Sequence, residues 1–95
     1  MDYVIVNNTE RNRFETFVNG EYAVLDYIYH NGALALEHTY VPPKERNKGI
    51  AFALVKFALE YAKAQNLKVI AGCSSVVIFI EQHPEYEFLL QPTPK

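Results

Sequence analysis

A chain of 95 residues, 49 % hydrophobic and 21 % charged, suffices for one small domain spanning 1–95. Its single core would cover roughly 60–65 % of the unfolded surface. A formal net charge of −2 excludes the strongly basic footprint of a general nucleic-acid binder. One cysteine, Cys73, excludes an intramolecular disulfide and argues against a cysteine-based zinc site.

The start MDYVIVNNTERNRF lacks the apolar core of a signal peptide. No apolar run approaches membrane-spanning length, so no membrane partner is expected and the cytoplasm is the expected location. Residues 3–6 read as a first strand closed by the turn-prone Asn7-Asn8. Residues 13–18 alternate as a second strand, and Asn19-Gly20 signals a hairpin. Residues 21–30 follow, dense in Tyr, Val, Leu and Ile, then a second hairpin signal at Asn31-Gly32. A fourth strand over 33–41 ends at Pro42-Pro43. Two Asn-Gly turns joining three β-rich runs predict an antiparallel meander.

The period then changes. Ile50, Leu54, Phe57 and Tyr61 mark one face of a helix running to about Gln65, with Asn66 as its stop. Residues 67–72 read as a strand lying parallel to the fourth, reached through the helix. Residues 74–82 fit a buried strand by propensity. They also fit a helix with Val76, Phe79, Ile80 and His83 on one face, capped by Ser74 or Ser75 and ended by Pro84. The helix is the expected form, and the tail at 91–95 is expected to be loose. The fold class is therefore α/β, of α+β kind: a meander, a helix, a parallel strand and a short helix.

Lys44, Arg46 and Lys48 crowd the start of the first helix, where the dipole prefers acidic neighbours. With Asn47 as N-cap, the N–H groups of Lys48, Gly49 and Ile50 lack helical partners, and Gly49 leaves them accessible. Free donors, dipole and cations make a cradle for phosphate or pyrophosphate. The alternative is a set of solvated loop charges partly balanced by Glu45. The loop lacks the second glycine and Gly-Lys-Ser/Thr ending of a P-loop, and the G-x-G of a dinucleotide site.

Arg46-x-x-Gly49-x-Ala51, after a strand and before an amphipathic helix, resembles the (R/Q)-x-x-G-x-(G/A) loop of the GNAT N-acetyltransferase superfamily. HTYVPPKERNKGIAFALVKFALEYAKAQNLKV, AGCSSV and HPEYEFLL follow the order seen in its short, stand-alone branch, over roughly residues 38–90. The resemblance implies a GNAT-like fold using acetyl-CoA, with Arg46, Asn47, Lys48, Gly49, Ile50 and Ala51 on the CoA pyrophosphate. Val41 would face the pantetheine arm, lodged like a substitute strand where the fourth and fifth strands splay. Asn47 stands where the family often has Gly, and AGCSS lacks the prolines that often flank the cysteine.

A lone cysteine is ordinarily a small buried hydrophobe. Cys73, however, precedes a helix start, where the dipole favours a thiolate. The resemblance makes it a catalytic candidate, beside the thioester or as a transient acyl acceptor. His38 shares an apparent face with Leu34, Leu36 and Tyr40, as a packed core histidine or as a general base near the pantetheine path. Glu37, on the opposite face, is the weaker alternative base. His83 and Tyr86 read as helix cap and packing, with cofactor contact as the other possibility. No His/Asp/Glu spacing suits a metal.

The expectation is acyl transfer from acetyl-CoA to an amine, with acceptor and oligomeric state undetermined. The rivals are a CoA-binding or sensing module with little catalysis, and an interaction domain without cofactor.

Overall fold

The computed structural model describes residues 3–91, whose five strands form one sheet in sequential order. The strands are β1 (Val6–Asn8), β2 (Arg13–Val18), β3 (Glu21–His30), β4 (Ala33–Tyr40) and β5 (Lys68–Ala71). Two helices, α1 (Ile50–Ala64) and α2 (Ser74–Gln82), and 3-10 segments at Pro43–Glu45 and Pro84–Leu89 complete the chain. The expected tail lies outside the described residues except for Gln91. Strands β1 to β4 are antiparallel neighbours, and β5 lies parallel to β4.

Both Asn-Gly turns have positive φ at each central residue, 49° and 84° at Asn19-Gly20 and 49° and 80° at Asn31-Gly32. That pair of conformations matches the right-handed twist of the flanking strands, which is why Asn and Gly occupy them. The first strand differs from expectation. Asn7 and Asn8 do not turn; they pair with Phe14 and Arg13. Their amides are absorbed by the sheet, as Tyr27 donates its hydroxyl to Asn7 Oδ1 at 2.6 Å and Asn8 donates to Glu15 Oε1 at 3.2 Å.

One hydrophobic cluster joins Phe14, Leu25, Leu34 and Leu36 of the sheet to both helices. The buried face of α1 is Ile50, Leu54, Val55, Ala58, Leu59 and Ala62, rather than a stripe through Phe57 and Tyr61. Small side chains at Ala58 and Ala62 let the helix lie close to the sheet. The two aromatics are displaced to its edge, with ring centroids 5.7 Å and 5.5 Å from that of Phe14. At the helix end Asn66 takes φ 58°, Leu67 N–H bonds Ala62 O at 2.8 Å and Asn66 N–H bonds Lys63 O at 3.2 Å. These paired bonds form a Schellman stop with Asn in the left-handed position.

The opposite face of the sheet is open: Phe17, Tyr22, Ile28 and Tyr40 are all exposed there. At the outer edge of β5, Leu90 bridges Val69 in parallel and Gln91 N–H bonds Val69 O at 2.9 Å.

Candidate functional site

Between β4 and α1 the chain makes the Pro43–Glu45 turn, closed by Glu45 N–H to Pro42 O at 2.8 Å. Glu45 is covered by its surroundings, and its carboxylate accepts from Asn19 Nδ2 and from Lys48 Nζ, each at 3.1 Å. The Asn19 hydrogen bond, then the Lys48 ammonium, holds this carboxyl below its ordinary value. Arg46 Nε donates to Val41 O at 2.8 Å, with the guanidinium 5.9 Å from the Tyr40 ring centroid. The crowding of cations is thus relieved within the protein in two ways. Lys48 neutralises Glu45, and Arg46 closes the loop onto β4.

The helix starts later than the Asn47 cap suggests. Asn47 and Gly49 both have positive φ, 65° and 81°, and Gly49 is the N-cap of α1. The first ladder bond runs from Ala53 N–H to Gly49 O at 3.0 Å, so the N–H groups of Ile50, Ala51 and Phe52 precede the ladder. Val41, Arg46, Asn47, Gly49, Ile50 and Ala51 line one cavity of about 330 Å³ here, with Glu45 and Phe52. The Lys48 ammonium pairs with Glu45, which is itself one of the lining residues.

Gly49 and Phe52 also line a neighbouring cavity of about 430 Å³, with Lys56, Phe79, His83 and Tyr86 around it. His83 stacks on Phe79 with centroids 4.3 Å apart and planes 25° apart. Tyr86 donates its hydroxyl to Glu60 Oε2 at 2.5 Å, which pushes its phenol up to about 12, with burial adding to the effect. The sequence reading singled out neither Phe52 nor Lys56; one turn apart on α1, they share this cavity with Phe79 of α2 and with His83 and Tyr86 that follow it.

Deeper along β4, pairing with β5 ends at Leu36 opposite Ala71, after a last bond from Gly72 N–H to Leu36 O at 2.8 Å. A β-carbon at Gly72 would fall 2.6 Å from Glu37 Oε2 and 2.7 Å from Leu36 O, so only glycine fits there. Beyond this point Glu37–Tyr40 have no partner on the β5 side. The ladder stops because β5 itself ends at Ala71, three residues before α2 begins.

A bulge in β4 changes the faces. Tyr27 pairs with Leu36, but Asp26 pairs with His38, leaving Glu37 as the extra residue. The alternation expected from Leu34 through Tyr40 is therefore broken. His38 and Tyr40 stand opposite Asp26 and Val24 on the open face, and His38 is exposed. Thr39, opposite the buried Leu25, occupies the core side instead. Its Oγ1 lies 3.3 Å from Cys73 Sγ. Glu37 shares the open face with His38, not the opposite one, since it lines a cavity with Ile28, Ala35 and Ile70.

Cys73 is half-buried in extended conformation, φ −133° and ψ 154°, as the N-cap of α2, and its carbonyl accepts from Val76 N–H at 3.2 Å. Thr39 was missed because period-two counting hides a bulge. Its only sequence signal is its place between His38 and the Tyr40-Val41 end of the strand. Among the described residues no group of His, Cys, Asp or Glu side chains could hold a metal ion, and no helix is long and apolar enough to cross a membrane.

A mixed α/β domain fold with a crossover helix, a parallel β4–β5 pair and a donor-rich helix start is the architecture of an N-acetyltransferase-type chain. A family model described as GCN5-related N-acetyl-transferase matches residues 13–89, and the chain belongs to that family. It is similar to mouse (Mus musculus) Protein NATD1, at 32 % identity over 93 residues, covering 93 % of this chain and 84 % of the relative. The human (Homo sapiens) Protein NATD1 is 32 % identical over 93 residues, covering 93 % and 82 %. Among solved structures, the solution NMR structure of a GCN5-like protein from Staphylococcus aureus superposes with a TM-score of 0.73. It is 25 % identical and covers 97 % of this chain and 91 % of that one.

Proposed function

We propose that the protein transfers an acyl group, in the first instance acetyl, from acetyl-CoA to an amine. The observation that carries this reading is the meeting of Thr39 and Cys73 beyond the end of the β4–β5 ladder, on the strand that leads into the donor-rich start of α1. The residues present fit the cosubstrate. Backbone N–H groups of Ile50, Ala51 and Phe52 suit a pyrophosphate, helped by the α1 dipole and by Arg46 at the cavity wall. Val41 and the unpartnered edge of Glu37–Tyr40 suit an extended, amide-bearing arm. Lys56 and the aromatic walls of the adjoining cavity suit the nucleotide end.

The bound thioester supplies the activated acyl group. Backbone donors of β4 would stabilise the negative charge that grows on its carbonyl oxygen. His38, on the open face, would take the proton of the incoming amine. Cys73, on the helix face, would protonate the departing sulfur or accept the acyl group itself. A site built on a free thiol suits a reducing cytoplasm.

Acetyl-CoA should raise the melting temperature, because it binds only the folded state. Thiol release with a panel of amines, together with intact mass after acetyl-CoA, then tests catalysis. Binding with neither signal would identify a CoA-binding or sensing module. No shift in melting temperature would leave an interaction domain.

A further inference from the structure

We propose that the open sheet face holds the acceptor subsite, and that it takes a small primary amine with one cationic nitrogen and an aliphatic body. This rests on the acyl-transfer reading above. Ile28, Ala35 and Ile70 stand side by side across β3, β4 and β5, Ile28 opposite Ala35 and Ala35 opposite Ile70. They line a cavity of about 310 Å³ together with His30 and Glu37. His30 pairs with Ala33 at the start of β4 and Glu37 lies at the bulge, so the groove runs roughly 13 Å along the strand.

The polarity of this groove is one-sided. Among the described residues no ion pair or hydrogen bond engages the Glu37 carboxylate. It packs against Gly72, immediately before Cys73, at the point where the strand pair ends. A cation held by Glu37 therefore sits at the end of the β4–β5 ladder, one residue from Cys73. Its aliphatic body would run the other way, over Ala35, Ile28 and Ile70. A second cation would lie over apolar side chains and toward His30, with no carboxylate to meet it, so a polyamine fits poorly. A neutral alcohol would leave Glu37 without a counter-charge.

In the transfer, the ammonium gives one proton to His38, the residue next to Glu37. The amine lone pair forms the C–N bond with the acyl carbon and the C–S bond breaks; the second proton of the nitrogen passes, through Cys73 or water, to the departing thiolate, leaving a neutral amide and the CoA thiol.

The test follows backbone amide shifts of the isotope-labelled protein, saturated with CoA, during titration with n-hexylamine, spermidine or 1-hexanol. The expected result is saturable shifts at Ile28, Ala35 and Ile70, with n-hexylamine at least tenfold tighter than the other two. Glu37→Gln, and independently Ile28→Asn at an exposed site, should each weaken n-hexylamine tenfold or more, and Ile28→Asn should leave CoA affinity unchanged. Shifts confined to another surface, preference for spermidine, or full affinity in Glu37→Gln would overturn the proposal. Failure to bind CoA at all would be seen before any amine is added, and would remove the acyl-transfer reading itself.

Discussion

The hydroxyl of Thr39 lies 3.3 Å from the sulfur of Cys73, across the gap where β4 and β5 cease to pair. A regular strand would have turned Thr39 away. The bulge at Glu37 rotates it toward the thiol while sending His38 to the other side. Sulfur and imidazole are thus divided between the two faces of the sheet.

Cys73→Ala should keep acetyl-CoA affinity and remove any acyl-enzyme seen by intact mass. The side chain is only half-buried, so the stability loss should stay near ~1 kcal/mol. Unfolding of this variant would point to a purely structural cysteine. Thr39→Val removes the hydroxyl beside the Cys73 sulfur and should cost about 1 kcal/mol of stability, visible as a lower melting temperature.

Gly49 has φ 81° and nothing within 4 Å of where a β-carbon would stand. Gly49→Ala should therefore carry only backbone strain, about 1–2 kcal/mol, visible as a lower melting temperature. Gly49→Glu adds a carboxylate to the donor-rich cavity and should abolish CoA binding by calorimetry while the protein remains folded. CoA affinity retained in Gly49→Glu would refute the pyrophosphate assignment.

The depressed carboxyl of Glu45 gives the loop an acid sensitivity. Asn19 and Lys48 favour its charged form, so its contribution is complete above the unfolded value near 4.5 and disappears as pH falls through the lower folded value. Protection of the amides at residues 44–49, relative to their intrinsic exchange rates, should fall below about pH 4.5. In Glu45→Gln that acid-dependent step should vanish, with faster exchange already at neutral pH.

Tyr86 makes the complementary case at high pH. Its phenol is raised to about 12 by Glu60 and by burial, so its contribution is complete below 10.0 and is lost as pH rises toward 12. Tyrosinate absorbance should show a late-titrating group that is missing in Tyr86→Phe. The substitution should cost about 1 kcal/mol, since Glu60 is solvent-facing and the bond is partly screened.

Local chemistry explains what could be read from the chain. Asn19-Gly20 and Asn31-Gly32 announce their turns because few residues accept positive φ twice in succession. The bounds of β2, β3 and α2 match the expected runs, and Asn66 stops α1 as anticipated. Other features depend on partners distant in sequence. The bulge at Glu37 follows from the β3 register, and Ala58 and Ala62 set the buried face of α1 by permitting close approach. Lys48 looks like a free cation until the Pro43–Glu45 turn brings Glu45 beneath it and Asn19 beside it. Arg46 to Ala51 were legible as one loop before a helix, but not the pairing of Lys48 with Glu45 or the bond from Arg46 back to Val41.

The short bridge between Leu90 and Val69 bears on behaviour in crowded solution. A terminal strand with bare amides invites the same strand of another molecule to zip alongside it. Leu90 and Gln91 occupy part of that docking rail on β5, so they act as a guard against runaway stacking. Removing residues 90–95 should leave the interior packing largely intact yet shorten the time the protein stays clear at high concentration.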